Sequence, residues 1–289
     1  MNAKLMFDEI VVYNLASYVV GELTQALVNC MKTVHNNVIA GSSFTGDNPN
    51  WDLNSESKLY IVICPSGLNL EKDIKYPKYY IPYQLEPAFK FEKFPLYHNI
   101  MNNAYNHGWD FSQLNIDNLG NNSIHVPIGY DSSVTKVFEY NESEKDIDVL
   151  FLGSWCDIPR RIQICAALNA TVKCMFVCGE NFDGMIDLIR RARICLDIRH
   201  DDKIENLASV RLNLLLSNCS CIIAEETPKD PGSDIYKDYV KFVNHKYMVY
   251  EILMLLKQPN EIKNRAEKSF RWYTNERKWT SIVDFRQLF

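Results

Sequence analysis

The sequence predicts an α/β protein of two consecutive domains, each a parallel sheet whose strands alternate with helices. Three observations carry this. Short apolar runs without polar alternation, 59–64 (LYIVIC) and 149–152 (VLFL) above all, have the length and composition of strands buried on both faces. Helical patterns fall between such runs along the chain. A polar, acidic stretch at 134–146 interrupts the alternation, which then restarts, so that stretch reads as a linker. A length of 289 residues suits two domains of ordinary size.

In order, 10–13 is a short β-rich run, followed by a loop at 14–17 and a helical pattern from 18 to about 34. Residues 38–39 form a second strand and 59–64 a third, ended by Pro65-Ser66-Gly67. The run 79–83 (YYIPY) is extended, and Pro82 places it at a sheet edge or strand end. Residues 95–107 read as a helix and 124–126 as a strand. After the linker come strands at 148–152, 172–177, 194–198 and 220–224, with helices at 159–169, 183–192, 204–217 and 245–257. The segment 261–279 is helical and amphipathic.

Bulk properties exclude several classes. A net charge of −5 argues against a nucleic-acid backbone as partner, since that binding needs a dense basic face. Nine cysteines, an odd number with no CxxC pair and mostly inside apolar runs, behave as small hydrophobes and point to a reducing compartment. The N-terminus lacks the apolar stretch of a signal peptide, and no run approaches the ~20 residues of a transmembrane helix. The expectation is a soluble cytoplasmic protein.

Candidate chemistry lies after the strands, where open α/β sheets bind ligands. The strand 148–152 stops at Gly153-Ser154, and a helical pattern resumes beyond the pair Arg160-Arg161. A turn opening a helix leaves backbone N–H groups free, and guanidinium groups beside it suit a diphosphate. The strand 194–198 ends in Arg199-His200-Asp201-Asp202-Lys203, and the next helix carries Arg211 on its polar face. The strand after that ends in Glu225 and Glu226. Cations beyond one strand and carboxylates beyond its neighbour divide a nucleotide sugar between them, diphosphate to the cations and hydroxyls to the carboxylates. A simpler reading pairs Arg211 with Glu205 or Glu226 and leaves the rest solvated.

These segments resemble the glycosyltransferases of the GT-B fold, of the "glycosyl transferases group 1" type found in bacteria and large DNA viruses. In the second half the resemblance rests on 149–154 with Arg160-Arg161, LDIRH at 196–200, Arg211, the Leu-rich stretch 214–219, and 222–225. In the first half it rests on IPYQLEP at 81–87, WDFSQLN at 109–115 and VPIGY at 126–130. It implies two Rossmann-like domains facing a cleft, with a C-terminal helix crossing back: 1–140 for the acceptor, 141–270 for the nucleotide-sugar donor, and 271–289 packing on the first domain.

The implied activity is transfer of a sugar from a nucleoside diphosphate sugar, by default a UDP-sugar (in the host cytoplasm for a viral protein), to a glycan hydroxyl. Gly153, Ser154, Arg160, Arg161, His200, Lys203, Arg211, Glu225 and Glu226 are the donor-binding candidates. This type often carries a Glu three residues before the helix Arg, or two Glu separated by seven residues. Here Ala208 and Asn213 stand at those positions. An inverting mechanism then fits better, with a base from the first domain: Asp110, Glu86 or Asp47, with His35 and His98 as further options. No cofactor or metal is expected, and Asp146-Ile147-Asp148, a DxD string, precedes its strand at the wrong end of the sheet. The alternatives are a non-catalytic nucleotide- or carbohydrate-binding module and a sugar-nucleotide epimerase of the same fold.

Overall fold

The structure, a computed structural model, describes residues 7–15, 17–41, 51–64, 75–87, 95–154, 157–200 and 202–289. It divides into two compact units, one of Met1–Ser133 with Trp279–Phe289 and one of Val134–Lys278.

The first unit contains β1 (Glu9–Asn14), α1 (Ser17–Met31), β2 (Val38–Ala40), β3 (Lys58–Ile63), β4 (Tyr80–Gln84), α2 (Pro95–Asn102), β5 (Gly108–Asp110), α3 (Gln113–Leu119) and β6 (Ser123–His125). All pairings are parallel, in the order β2-β1-β3-β4-β5-β6. The chain moves outward from β1 to β2, then reverses from β3 onward, so the topological switch lies between β1 and β3. Val11, Tyr13, Tyr60, Val62 and Tyr80 of the sheet pack with Trp51 and Ile100 in one cluster.

Two expectations for this unit are corrected. β4 is an interior strand, not an edge. Its ladder to β3 spans Tyr80–Tyr83 while pairing with β5 begins only at Tyr83, so Pro82 lies where β4 has one paired neighbour. The helix read at 95–107 ends at Asn102 because Asn106 takes φ 61° and the chain enters β5 at Gly108. That three-residue strand and α3 were too short to leave a periodic signal.

The second unit contains β7 (Ile147–Leu152), α4 (Pro159–Asn169), β8 (Cys174–Val177), α5 (Phe182–Arg191), β9 (Ala192–Asp197), α6 (Ser209–Leu216), β10 (Cys221–Glu225), α7 (Ser233–Tyr236), β11 (Lys241–Val243), α8 (Met248–Leu256) and α9 (Pro259–Glu276). Its parallel sheet has the order β11-β10-β9-β7-β8, with the switch between β7 and β9. Val149, Phe151, Ile194, Leu196 and Ile223 share one core with Ile164 and Leu168 of α4, Ile252 of α8 and Ile262 of α9. Each such aliphatic side chain contributes about 1.5–3 kcal/mol on burial. The helix expected from 204 starts only at Ser209, since Asp230 Oδ2 accepts the Leu207 N–H at 2.7 Å and holds the preceding segment as a loop. Among the described residues no helix is long and apolar enough to cross a membrane.

The last α-helix, α10 (Trp279–Ile282), belongs to the first unit. Trp279 N–H donates to Tyr130 O at 2.9 Å, and its fully buried ring lies 6.4 Å from that of Tyr83. Gly129 permits this approach, because a Cβ there would come within 2.6 Å of the Trp279 Cα. Phe285 and Phe289 add ring contacts to Trp109 at 6.3 and 5.9 Å. Trp279→Ala is therefore expected to destabilise the first unit by about 3–5 kcal/mol. Denaturant unfolding followed by circular dichroism checks this, and a loss below 1 kcal/mol (about a fivefold change in the folding constant) would contradict it.

Candidate functional site

At the carboxyl end of the second sheet, β7, β9, β10 and β11 deliver charged side chains to one place. Glu225, the last residue of β10, is 1% exposed. Its Oε1 accepts from Arg160 Nη1 at 2.6 Å and Arg199 Nη2 at 3.0 Å, with His245 Nδ1 at 3.4 Å. Its Oε2 accepts the Arg199 backbone N–H at 3.0 Å. A carboxylate taken out of water needs this many donors, because desolvation costs several kcal/mol per ion. Arg160 comes from the first turn of α4, Arg199 from just beyond β9, and His245 from just beyond β11. Arg160 Nη2 also holds Asp202, which is largely exposed.

The adjacent Arg161 points elsewhere. Its Nε and Nη2 donate to Ile198 O at 2.9 and 2.6 Å, and its Nη1 donates to Ser154 O at 2.5 Å. It thereby clamps the turn after β7 to the end of β9, across the switch point. Burial, and next the charge of Arg211, lower its pKa to about 10, so it remains cationic at neutral pH. Arg161 and Arg211 each place the guanidinium carbon 5.1 Å from the Phe151 ring centroid. Arg211 pairs with Asp197, the buried last residue of β9, rather than with Glu205 or Glu226. Gly153 is required beside it: φ is +147°, and a Cβ would fall 2.8 Å from Arg211 Nη2.

Of the sequence-derived donor candidates, Gly153, Ser154, Arg160, Arg161, Arg211 and Glu225 come together at this edge. His200 and Lys203 are exposed on the loop after β9, and Glu226 is exposed one residue beyond β10. Arg199 and His245 belong to the cluster although sequence reasoning did not single them out. Glu205 pairs with Lys229 at 2.5 Å, and Asn213 Oδ1 accepts from Tyr273 Oη at 2.9 Å. Asp146 and Asp148 are tied at the opposite end of β7, the first to Arg191 and Lys173 and the second to Arg193.

Asp202, Glu225 and His245 bring potential metal-ligand atoms within 4.8 Å of one another. Two guanidinium groups already occupy Glu225 Oε1, so a divalent cation there would meet like charge at contact distance.

The first unit joins two of its three family-like segments, 81–87 and 109–115, through one network. Asp110, at the end of β5, is fully buried; its Oδ1 accepts Ser112 N–H and Asn115 Nδ2 at 2.9 Å each, and its Oδ2 has no partner among the described residues. Asn115 Nδ2 also donates to Glu86 O at 2.9 Å, and Gln84 Nε2 donates to the same oxygen at 3.0 Å. Glu86 itself is half-buried. His35 bonds the backbone of Phe7 and Asn37, and His98 lies in α2 with its ring 6.0 Å from that of Tyr97. Asp47 lies outside the described residues.

Burial pushes the Asp110 carboxyl from 3.8 up to about 8, with the Ser112 and Asn115 hydrogen bonds opposing it. The folded chain thus keeps a proton that the unfolded chain releases near pH 3.8. This contribution to stability is full at acid pH and is lost as pH rises toward about 8. Asp110→Asn preserves the Oδ1 acceptor and removes the titration. Its melting temperature should lose the decline that the wild type shows between pH 5 and about 8; equal slopes in both proteins would contradict this.

No family model and no curated protein sequence matches the chain, whereas solved structures match over nearly its whole length. An alpha-glucosyltransferase in complex with UDP-glucose and DNA containing an abasic site aligns with a TM-score of 0.64 at 9% identity, covering 97% of this chain and 98% of that one. WaaG, a glycosyltransferase involved in lipopolysaccharide biosynthesis, aligns with 0.62 at 9% identity, covering 96% and 99%. Anabaena HepE in complex with UDP and glucose aligns with 0.59 at 8% identity, covering 95% and 97%. With two parallel Rossmann-like sheets and these relatives in shape, the chain has the fold of the GT-B glycosyltransferases.

Proposed function

We propose that the protein transfers a sugar from a UDP-sugar to a hydroxyl of a glycan acceptor, with inversion and without a metal. The observation that carries this is the arginine cluster at the switch point of the second sheet, where Arg160 and Arg199 converge on Glu225 beside the Gly153-Ser154 turn. Open α/β sheets bind nucleotides at that position. The N-terminus of α4 follows the turn, and its dipole favours an anion there. UDP is favoured because two of the structural neighbours were solved with UDP or UDP-glucose. One of these neighbours also held DNA; the net charge of −5 in this chain favours a neutral glycan acceptor instead.

The chemistry is a single displacement. An acceptor hydroxyl oxygen bonds to the anomeric carbon as the bond from that carbon to the diphosphate oxygen breaks. The hydroxyl proton passes to a carboxylate, and negative charge gathers on the departing diphosphate. Arg160 and Arg199 neutralise that charge without reorganising, because Glu225 already fixes them. Lys203 and Arg211 extend the cationic surround, His200 adds an imidazole, and Glu226 is the exposed carboxylate available to sugar hydroxyls. Among the base candidates Glu86 is favoured, since Asp110 is enclosed and hydrogen-bonded as a positioning group.

Calorimetric titration with UDP and single-turnover transfer from UDP-sugars test the assignment. Arg160→Ala should weaken UDP binding by tenfold or more, about 1.4 kcal/mol. Arg161→Ala should instead lower the melting temperature, because it removes the clamp on two backbone carbonyls. Glu86→Gln should bind UDP normally and lose transfer by about 100-fold or more. Unchanged UDP binding in the Arg160 variant would refute the donor site, and a product of retained anomeric configuration would remove Glu86 as base.

A further inference from the structure

The anion site proposed above already contains an anion of its own. The Asp202 side chain is 79% exposed, yet its Oδ1 is bound by Arg160 Nη2 and stands 3.8 Å from Arg199 Nη2. Arg160 foremost, then Arg199 and His245, hold the Asp202 carboxyl below its ordinary range. An exposed aspartate ordinarily spends its charge on water, and an exposed ion pair contributes at most ~1 kcal/mol. Asp202 instead faces the guanidinium groups that a departing diphosphate would need.

Charge balance points the same way. Arg160 and Arg199 are matched by Glu225 and Asp202, so the cluster is neutral as it stands. Glu225 is enclosed at 1% exposure and organises both arginines, so it is not exchangeable. Asp202 sits on the outer side and on a loop. Moving it away frees Arg160 Nη2 and leaves the cluster with one net positive charge.

We propose that Asp202 is a resident anion at the phosphate position of the donor site, and that a ligand enters only by displacing it from Arg160. The proposal rests on the donor-site reading above and adds a tethered competitor to it. A carboxylate tethered to the site competes at an effective concentration on the order of mM. The aspartate thus weakens every anion at that position by the same factor, and a nucleoside diphosphate, with contacts along its whole length, keeps enough affinity to displace it. No covalent step is involved.

The test is calorimetric titration of the full chain with UDP, and separately with inorganic pyrophosphate, comparing wild type and Asp202→Asn at matched ionic strength. Removing the competing exposed pair should tighten UDP binding about two- to fivefold. Pyrophosphate should gain by a similar factor. Wild type binding UDP while Asp202→Asn binds equally or more weakly would overturn the inference and leave the donor site standing. Wild type failing to bind UDP at all would remove the donor site, and the inference with it.

Discussion

One buried carboxylate holds the candidate site together. Glu225 ends the strand β10 inside the protein, and its two oxygens take donors from the helix after β7, from the end of β9 and from the segment after β11. A carboxylate in that position is stable only while the donors stay; removing a partner from such a buried pair costs about 3–5 kcal/mol. The same requirement fixes Arg160 and Arg199 before any ligand arrives. Charge fixed in place in this way costs no reorganisation when a ligand meets it. Arg161 does the complementary mechanical work, binding the carbonyls of Ser154 and Ile198 so that the glycine turn keeps its place across the switch point.

Much of the fold was legible in the sequence because buried parallel strands read as unbroken apolar runs, and those at 59–64 and 149–152 lie where the pattern puts them. The Gly153-Ser154 turn was legible for the same reason, since it ends such a run. The elements that escaped were short or interrupted: the three-residue β5, α3, and the loop that delays α6. The roles of Arg160 and Arg161 could not be separated from sequence, because neighbouring residues on a helix point about 100° apart and only the fold says which direction faces what. Arg199 gave a signal that could have been used, standing beside His200 at a strand end. His245 gave none. It reaches Glu225 only because β11 lies next to β10.

In the first unit two of the three family-like segments, 81–87 and 109–115, prove to be one structure. Gln84, Glu86, Asp110, Ser112 and Asn115 are joined by hydrogen bonds that meet at the Glu86 carbonyl and the Asp110 carboxyl. Residue types shared with a family can therefore mark a scaffold as readily as a catalyst. Asp110 shapes the loop after β5, and Glu86 joins the same network through its backbone carbonyl.

The most direct measurement is a crystal structure of the full chain with UDP. Density for the diphosphate is expected beside Gly153-Ser154, with a phosphate oxygen within hydrogen-bond distance of Arg160 while Glu225 keeps its bond to Arg199. UDP bound away from that turn, with the arginine cluster unchanged, would contradict it.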